Sequence, residues 1–233
     1  MDAEALLVCW EQGRWRHALD RALLLHAAAA PGEDPDALAD RTLGERNAAL
    51  LRLRQRLFGD ELKSCVDCPE CGERLEFGLS AAALLAPFDA PRAANVAEIS
   101  VAGRRLRLPT TRDLANIAAE PDEANAARRL LERLRVASES DAGCELDPDQ
   151  LMQALDEADP CMDLAIDLTC PACAHAWSAA FDAPGFLWEE IEARVRRLLD
   201  EVHVLACSYG WDEEKILGLS DVRRRAYLDR VLA

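Results

Sequence analysis

The sequence predicts an α+β protein that is predominantly helical, with helical N- and C-terminal regions around a small antiparallel β region. Three observations carry that expectation. The composition is half apolar with only 5% aromatic residues, and Ala, Leu and Arg dominate it, which favours helix over strand. Apolar residues recur at helical spacing towards both ends of the chain, whereas period-two alternation is confined to the middle. Cysteines crowd into two stretches of that middle region, "CVDCPECGERLEF" from Cys65 to Phe77 and "TCPACAHAWSAAF" from Thr169 to Phe181. The resulting division is a helical region over 1–62, a zinc-ribbon-like β region with an inserted hairpin and helices over 63–183, and a helical region over 184–233. A chain of 233 residues can bury a sizeable core without a metal, so the cysteines are not demanded by stability alone.

Two helical stretches are expected between Asp2 and Ala30, the second with Trp15, Leu19, Ala22 and Leu23 on one face. "PGEDPD", from Pro31 to Asp36, interrupts them. The next helix opens at Thr42, whose hydroxyl caps the first turn while Glu45 reaches back in a capping box. Leu50, Leu53 and Leu57 form its apolar stripe, and Gly59 ends it. After the first cysteine cluster, Leu75, Phe77 and Leu79 alternate as one face of a half-buried strand. A loop containing Pro87 and Pro91 follows.

Ile99 and Val101, then Leu106 and Leu108, bracket a turn at Ala102 and Gly103 and read as a β-hairpin. Thr110 with Asp113 starts a helix that runs to Ala118. Ala124 to Val136 is expected to be helical, Ser138 to Gln150 to be a polar loop, and Asp147 or Asp149 to open a short helix to Ala158. Met162, Leu164, Ile166 and Leu168 alternate into the second cysteine pair, and Trp177, Ala179 and Phe181 alternate out of it. Ile191, Val195, Leu198, Val202 and Leu205 then trace the stripe of an amphipathic helix. "YGWDEEKILGLS" turns the chain, and Ser220 caps a last helix.

Cys68-Pro69-Glu70-Cys71 and Cys170-Pro171-Ala172-Cys173 share the form C-P-x-C. Two thiolates two residues apart can reach one zinc ion from a tight turn whose backbone amides point at the sulfurs, and Gly72 permits the left-handed residue that follows. Two such turns supply the four ligands of a closed structural zinc site. The intervening loop of about 98 residues is no obstacle, because closure entropy grows only logarithmically with length. Cys65 and His175 are alternate ligands by proximity. Cys9, Cys144, Cys161 and Cys207 lack paired spacing and are expected to be small buried hydrophobes.

The net charge of −16 argues against nonspecific binding to nucleic acid or an anionic membrane. Between Val136 and Ala193 there are 14 acidic residues and no Lys or Arg, a solvated face or a docking surface for a basic partner. Arg104, Arg105, Arg107 and Arg112 form the most basic short segment of the middle region, available to that acidic block or to a partner. No apolar run reaches the length of a membrane span, and the acidic N-terminus is unlike a secretory signal, so the expected location is the cytoplasm at synthesis. Four thiolates leave no open metal position, and no H-E-x-x-H, deaminase, phosphate-loop or G-x-S-x-G pattern occurs. The chain is therefore expected not to be an enzyme and to use no small-molecule substrate.

Taken in order, "HALDRALLLHAAA", "LADRTLGERNAALLRLRQRLFG", "DCPECGERLEF", "RLRLPTTRDLANIA", the second C-P-x-C with its Trp177, and "EVHVLACSYGWDEEKILGLSDVRRRAYLDRV" resemble the T4-type phage baseplate hub assembly chaperone family, whose members also occur with phage-like contractile injection systems. The resemblance runs nearly end to end, and "LPTTRDL" and "HVLACSYGW" are its most distinctive segments. It implies a non-enzymatic role in building the hub of a contractile-tail baseplate. The partners would be hub or spike proteins, and the chain would either leave after assembly or stay in a phage-like particle. Candidate partner-binding residues are Tyr209, Trp211, Tyr227 and Leu228, with packing between the last two helices as the alternative. The competing reading is a zinc-ribbon adaptor for nucleic acid or the transcription machinery, and Glu70, Glu73 and Glu76 around the first knuckle disfavour it.

Overall fold

Helices dominate the computed structural model, which describes residues 1–90, 98–136 and 147–231. Pro91, Cys144 and residues 138–146 of the expected polar loop lie outside the described residues. The chain divides into two compact units, one formed by Met1–Leu24 with Gly185–Ala233 and the other by Leu25–Pro184. Composition and motif suggest a three-part division; contacts join the two chain ends and place residues 25–62 with the middle region.

In the first unit, helix α1 (Ala3–Gly13) is capped by Asp2, whose carboxylate accepts from the Ala5 amide. Helix α2 (Ala18–Ala29) starts after a turn at Arg14–His17. The long α9 (Ala183–Tyr209) buries Ile191, Val195, Leu198 and Leu205 of the stripe read from spacing, with Leu187 one turn earlier, while Val202 is half-buried. Trp188 packs so closely on α1 that a Cβ on Gly13 would lie 2.4 Å from its ring. "DEEKIL" is not only a turn: Asp212 caps a short helix α10 (Glu213–Leu217) by accepting from the Lys215 amide. Ser220 accepts from the Arg223 amide at the start of α11 (Asp221–Val231). Beneath α11, the fully buried Arg224 is neutralised by Glu201 at 2.6 Å and by Asp221.

The expectation that Trp15 lies on the packing face of α2 is corrected: α2 begins three residues later, and Trp15 is 84% exposed. The spacing of Trp15 with Leu19 and Ala22 is coincidental. Gly13 and the following turn change the direction of the chain between them.

The second unit begins at Leu25 within α2 and continues with α3 (Pro35–Ala39), a short helix that starts inside the segment read as a break; Asp34 caps it and Pro35 occupies its first turn. Helix α4 (Leu43–Phe58) carries the expected capping box, and Gly59 ends it at φ +88°. Two antiparallel strands follow, β1 (Glu61–Asp67) and β2 (Arg74–Ser80), in the register Leu62↔Leu79, Ser64↔Phe77, Val66↔Leu75. Strand β1 escaped prediction because "ELKSCVD" places only Leu62 and Val66 on its apolar face. The loop expected around Pro87 is instead α5 (Ala81–Asp89), started by the Ser80 hydroxyl accepting from the Ala83 amide. Pro87 lies in the last turn of this helix, where it removes the one amide donor to the Ala83 carbonyl and little helix remains beyond it to be interrupted.

The hairpin β3 (Glu98–Val101) and β4 (Arg104–Arg107) turns through Ala102 and Gly103, both at positive φ, the signature of a twist-matched two-residue turn. Its Ile99, Val101 and Leu106 form a core with Leu108, with Leu134 from α7 (Glu123–Leu134) and with Leu155 from α8 (Pro148–Ala158). Asp147 caps α8. Helix α6 (Thr111–Ile117) lies between β4 and α7 in sequence. Strands β5 (Ala165–Thr169) and β6 (Ala176–Ala180) pair antiparallel with Leu168 opposite Trp177. Met162 and Leu164 precede β5 and serve other clusters, Leu164 beside Ala48, Leu51 and Leu85. Among the described residues the three sheets are each two-stranded hairpins. Among the described residues no helix is long and apolar enough to cross a membrane.

Candidate metal centre

Each C-P-x-C segment is the tip of a hairpin, β1–β2 for the first and β5–β6 for the second. The two tips fold alike. The Cys68 amide donates to the Glu73 carbonyl and the Gly72 amide to the Cys68 carbonyl, at 2.8 and 2.9 Å. At the second tip Cys170 and Ala174 make the equivalent bonds, to His175 and Cys170, at the same two distances. The residue after the second cysteine is left-handed in both, Gly72 at φ +74° and Ala174 at φ +59°. This is the conformation expected for Gly72; at Ala174 an L side chain adopts it at some cost.

These tips bring the four cysteines together. All four sulfurs lie within 4.8 Å of one another, with Cys68 and Cys173 3.7 Å apart and Cys71 and Cys170 3.6 Å apart. A tetrahedron with Zn–S bonds of about 2.3 Å has sulfur–sulfur edges of about 3.8 Å, so these separations fit a single zinc-sized ion. They are far longer than a disulfide bond, and the thiols are free. Cys68 and Cys170 are buried while Cys71 and Cys173 face solvent, so the centre is open to exchange on one side and supported on the other.

The electrostatics of four clustered thiols also favour a cation. Although burial opposes it, Cys170 is lowered to about 7 by the backbone amides of Cys173 and Ala172 and by the thiol of Cys71. Cys71, despite the Glu73 amide that favours its thiolate, is pushed up to about 12 by the neighbouring sulfurs of Cys173, Cys170 and Cys68. Cys173 is raised as well: the His175 amide favours its thiolate, and burial together with Cys170 and Cys68 outweighs that. One thiolate forms readily, and the next is resisted until positive charge arrives.

Cys65 and His175 stand outside the four-sulfur group. The Cys65 thiol, two register positions back from the last pair of β1, receives Arg74 Nη2 at 2.9 Å. His175 contributes backbone to the knuckle, and its ring stacks on Trp177 at 5.8 Å. Among the unpaired cysteines, Cys9 and Cys161 are buried as expected, whereas Cys207 is exposed.

A second polar centre was only half visible in the sequence. Thr42 and Thr110, the caps of α4 and α6, pair directly as an isolated β-bridge, and the Leu43 amide donates to the Pro109 carbonyl. Both carry capping boxes, with Glu45 and Asp113 as the returning carboxylates. Asp159, at the end of α8, accepts from the Gly44 amide at 2.8 Å and the Thr42 hydroxyl at 3.1 Å. Arg46, nearly buried, donates to Asn47 Oδ1 and the Thr111 hydroxyl, and Asn47 donates to the Cys161 carbonyl. Burial lowers Arg46 to about 10, with Asp182 working the other way. The distinctive segment "LPTTRDL" is thus a buried structural junction.

The arginines of that region pair locally. Arg107 and Arg133 both bond Asp113, at 2.6 and 3.2 Å, Arg112 bonds Asp40, and Arg105 bonds Glu98. None of these carboxylates belongs to the 136–193 acidic block. Burial opposes the ionisation of Asp113, yet its bonds from Arg107 and Thr110 hold it at about 2. Arg107, Arg112 and Arg133 line a cleft of about 460 Å³ with Asp40, Thr42 and Asp113. Each arginine there is already matched to a carboxylate.

In "HVLACSYGW" and the final helix, Tyr209 and Trp211 stack at 4.8 Å, with Tyr227 edge-on to Trp211 at 4.9 Å. Leu228 is buried with Leu205 and Ile216, and Trp211 and Tyr227 pack half-buried against that cluster. No family model matches the chain, and no curated protein and no solved structure matches it.

Proposed function

We propose that the chain is a non-enzymatic assembly factor, a chaperone or component of a contractile-tail baseplate that binds hub or spike proteins and holds one structural zinc ion between Cys68, Cys71, Cys170 and Cys173. The observation that carries the non-catalytic reading is the donor set: four sulfurs within 4.8 Å of one another would fill the four positions of a tetrahedral zinc and leave none for water or substrate. The zinc supplies crosslinking, joining the tips of two zinc-ribbon-like hairpins about a hundred residues apart in sequence. The baseplate assignment rests on the ordered resemblance of motifs along the chain. The nucleic-acid adaptor reading is disfavoured by exposed Glu70, Glu73 and Glu76 beside the first knuckle.

Metal analysis tests the first half: about one zinc per chain, absent from Cys71→Ser, is the expected result. Co-expression with hub and spike proteins of a contractile tail tests the second. Recovery of a stoichiometric complex supports the assignment; repeated failure with every hub and spike protein of the gene cluster overturns it.

A further inference from the structure

The turn after α1 combines features that nothing inside its own unit accounts for. Arg14 lies with its guanidinium carbon 4.4 Å from the ring centre of Trp10 and 4.6 Å from that of Trp15, so one cation contacts two indoles. Trp15 is 84% exposed. A lone surface hydrophobe is unremarkable, but a tryptophan carries the largest apolar surface of any side chain, and leaving it in water forgoes a large stabilisation. A cation–π contact at an exposed site returns only a small part of that.

This corner is also held in place from beneath. The Arg14 amide bonds the Trp10 carbonyl at 2.8 Å and the Arg16 amide bonds that of Gly13 at 2.9 Å. Arg21, itself stacked over Trp188 at 4.8 Å, donates to the carbonyls of Gly13 and Arg14 at 3.0 and 2.9 Å. A side chain so presented loses little freedom on binding, which is the property of an interface anchor.

The charge is the second, independent argument. Acidic residues outnumber basic ones by 43 to 27, and arginines across the molecule find carboxylates, among them Arg41, Arg52, Arg112, Arg194 and Arg224. Arg14 and Arg16, both exposed, have no carboxylate within 4.0 Å among the described residues. With His17 they make a short stretch, Gly13–Leu19, that holds no acidic residue. On a strongly acidic protein, unpaired cations beside an exposed anchor match a partner of opposite charge.

We propose that the Trp10–Arg14–Trp15 corner is a docking site for a protein partner that offers an apolar pocket rimmed by carboxylates. Trp15 enters the pocket, and Arg14 and Arg16 meet the rim. A protein is favoured over nucleic acid or an anionic membrane because the rest of the surface, at a net −16, repels phosphate. If the chain acts on hub or spike proteins as proposed above, this corner is where they bind; the surface itself does not depend on that reading.

Two measurements decide it. A random peptide-display library is panned on the full chain and counter-selected on an Arg14→Ala/Trp15→Ala double variant. The expected peptides carry Leu, Phe or Met flanked by Asp or Glu, and bind the native chain about 30-fold more tightly than the variant, the loss typical of a truncated anchor. No enrichment, or peptides without carboxylates, overturns the proposal. The native and Trp15→Ala chains should melt at the same temperature, and Val222→Ala, at another highly exposed apolar position, should bind like the native chain. In parallel, complexes with hub and spike proteins are compared between the native chain and Trp15→Ala. Loss of the complex supports both proposals, and an undiminished complex overturns the docking site alone. Absence of any complex alongside peptide enrichment overturns the baseplate reading alone. Trp15-dependent retention of a single-stranded 20-nucleotide probe, or Trp15-dependent self-association, transfers the corner to a different occupant and refutes the pocket.

Discussion

At the hairpin tips, Cys68 and Cys173 approach to 3.7 Å across 105 positions of chain; at the α4–α6 junction, the Gly44 amide approaches the Asp159 carboxylate to 2.8 Å across 115. Both contacts join residues in the first third of the chain to residues in its last third, and they do so by different chemistry. The hairpin tips present four clustered thiols, of which one ionises readily and its neighbours resist ionisation without a cation. The junction presents donors already matched to acceptors, with two capping boxes side by side and a buried carboxylate on the first. The comparison teaches that the second unit has one closure whose four sulfurs could be joined by a metal ion and another that is complete without one.

The largest effect that could break this comparison is metal removal. Structural zinc in small knuckle domains contributes on the order of 10 kcal/mol, so chelation or Cys173→Ser should release the tips outright. Hydrogen exchange should then rise in β1, β2, β5 and β6, while the amides of α4 stay protected. If α4 loses protection to the same extent, the junction depends on the clasp and the two are one cooperative element.

The reciprocal perturbation is Gly44→Ala. A Cβ there would sit 2.0 Å from Asp159 Oδ1 and 2.9 Å from Oδ2, so the carboxylate must leave and the Thr42 hydroxyl loses its acceptor. Displacing a buried charge from its donors should cost about 3 kcal/mol. Urea denaturation reads this directly, and zinc stoichiometry should remain near one per chain. A variant as stable as the native chain would falsify the importance of the Asp159 contact.

These two closures were not equally legible. The knuckles announce themselves because both ligands of each pair lie within four residues, and their geometry is local. The capping boxes of Thr42 and Thr110 were legible for the same reason. Asp159 was not, since nothing near it in sequence distinguishes a carboxylate that caps a helix 115 residues away from one that is solvated. Arg46 and Asn47 were hidden in the same way inside an ordinary helical pattern, and the bonds that hold them come from Thr111 and Cys161. Trp15 shows the opposite failure, a helical spacing that continued across a turn.

Acid sharpens the comparison from the junction's side. His26 is 4% exposed, its Nδ1 has no hydrogen-bond partner among the described residues, and burial first, then Arg46, lowers its pKa below the usual 6.5. The native state therefore binds fewer protons than the unfolded chain just below pH 6.5. Stability should be greatest above that pH and decline as pH falls towards the folded pKa, by at most about 1.4 kcal/mol per pH unit. In His26→Leu the decline in this window should shrink, as read by urea midpoints at pH 5.5 and 7.5 with metal content followed in parallel. An unchanged slope would place the acid sensitivity at the thiolates instead.

The smallest effect separates the two knuckles from each other. Gly72 and Ala174 occupy the same place after the second cysteine and share a left-handed backbone, at φ +74° and +59°. Nothing lies within 4 Å of a Cβ built on Gly72, so Gly72→Ala should cost only the dihedral strain, about 1 kcal/mol. Ala174→Gly relieves that strain and adds freedom to the unfolded chain, so its gain should be somewhat below about 1 kcal/mol. Competition with a zinc chelator should resolve both, with Gly72→Ala weakening metal retention and Ala174→Gly strengthening it. Opposite shifts of similar size mean that the two tips load the ion as equivalent halves. A response confined to Gly72 means that the first hairpin sets the geometry and the second closes onto it.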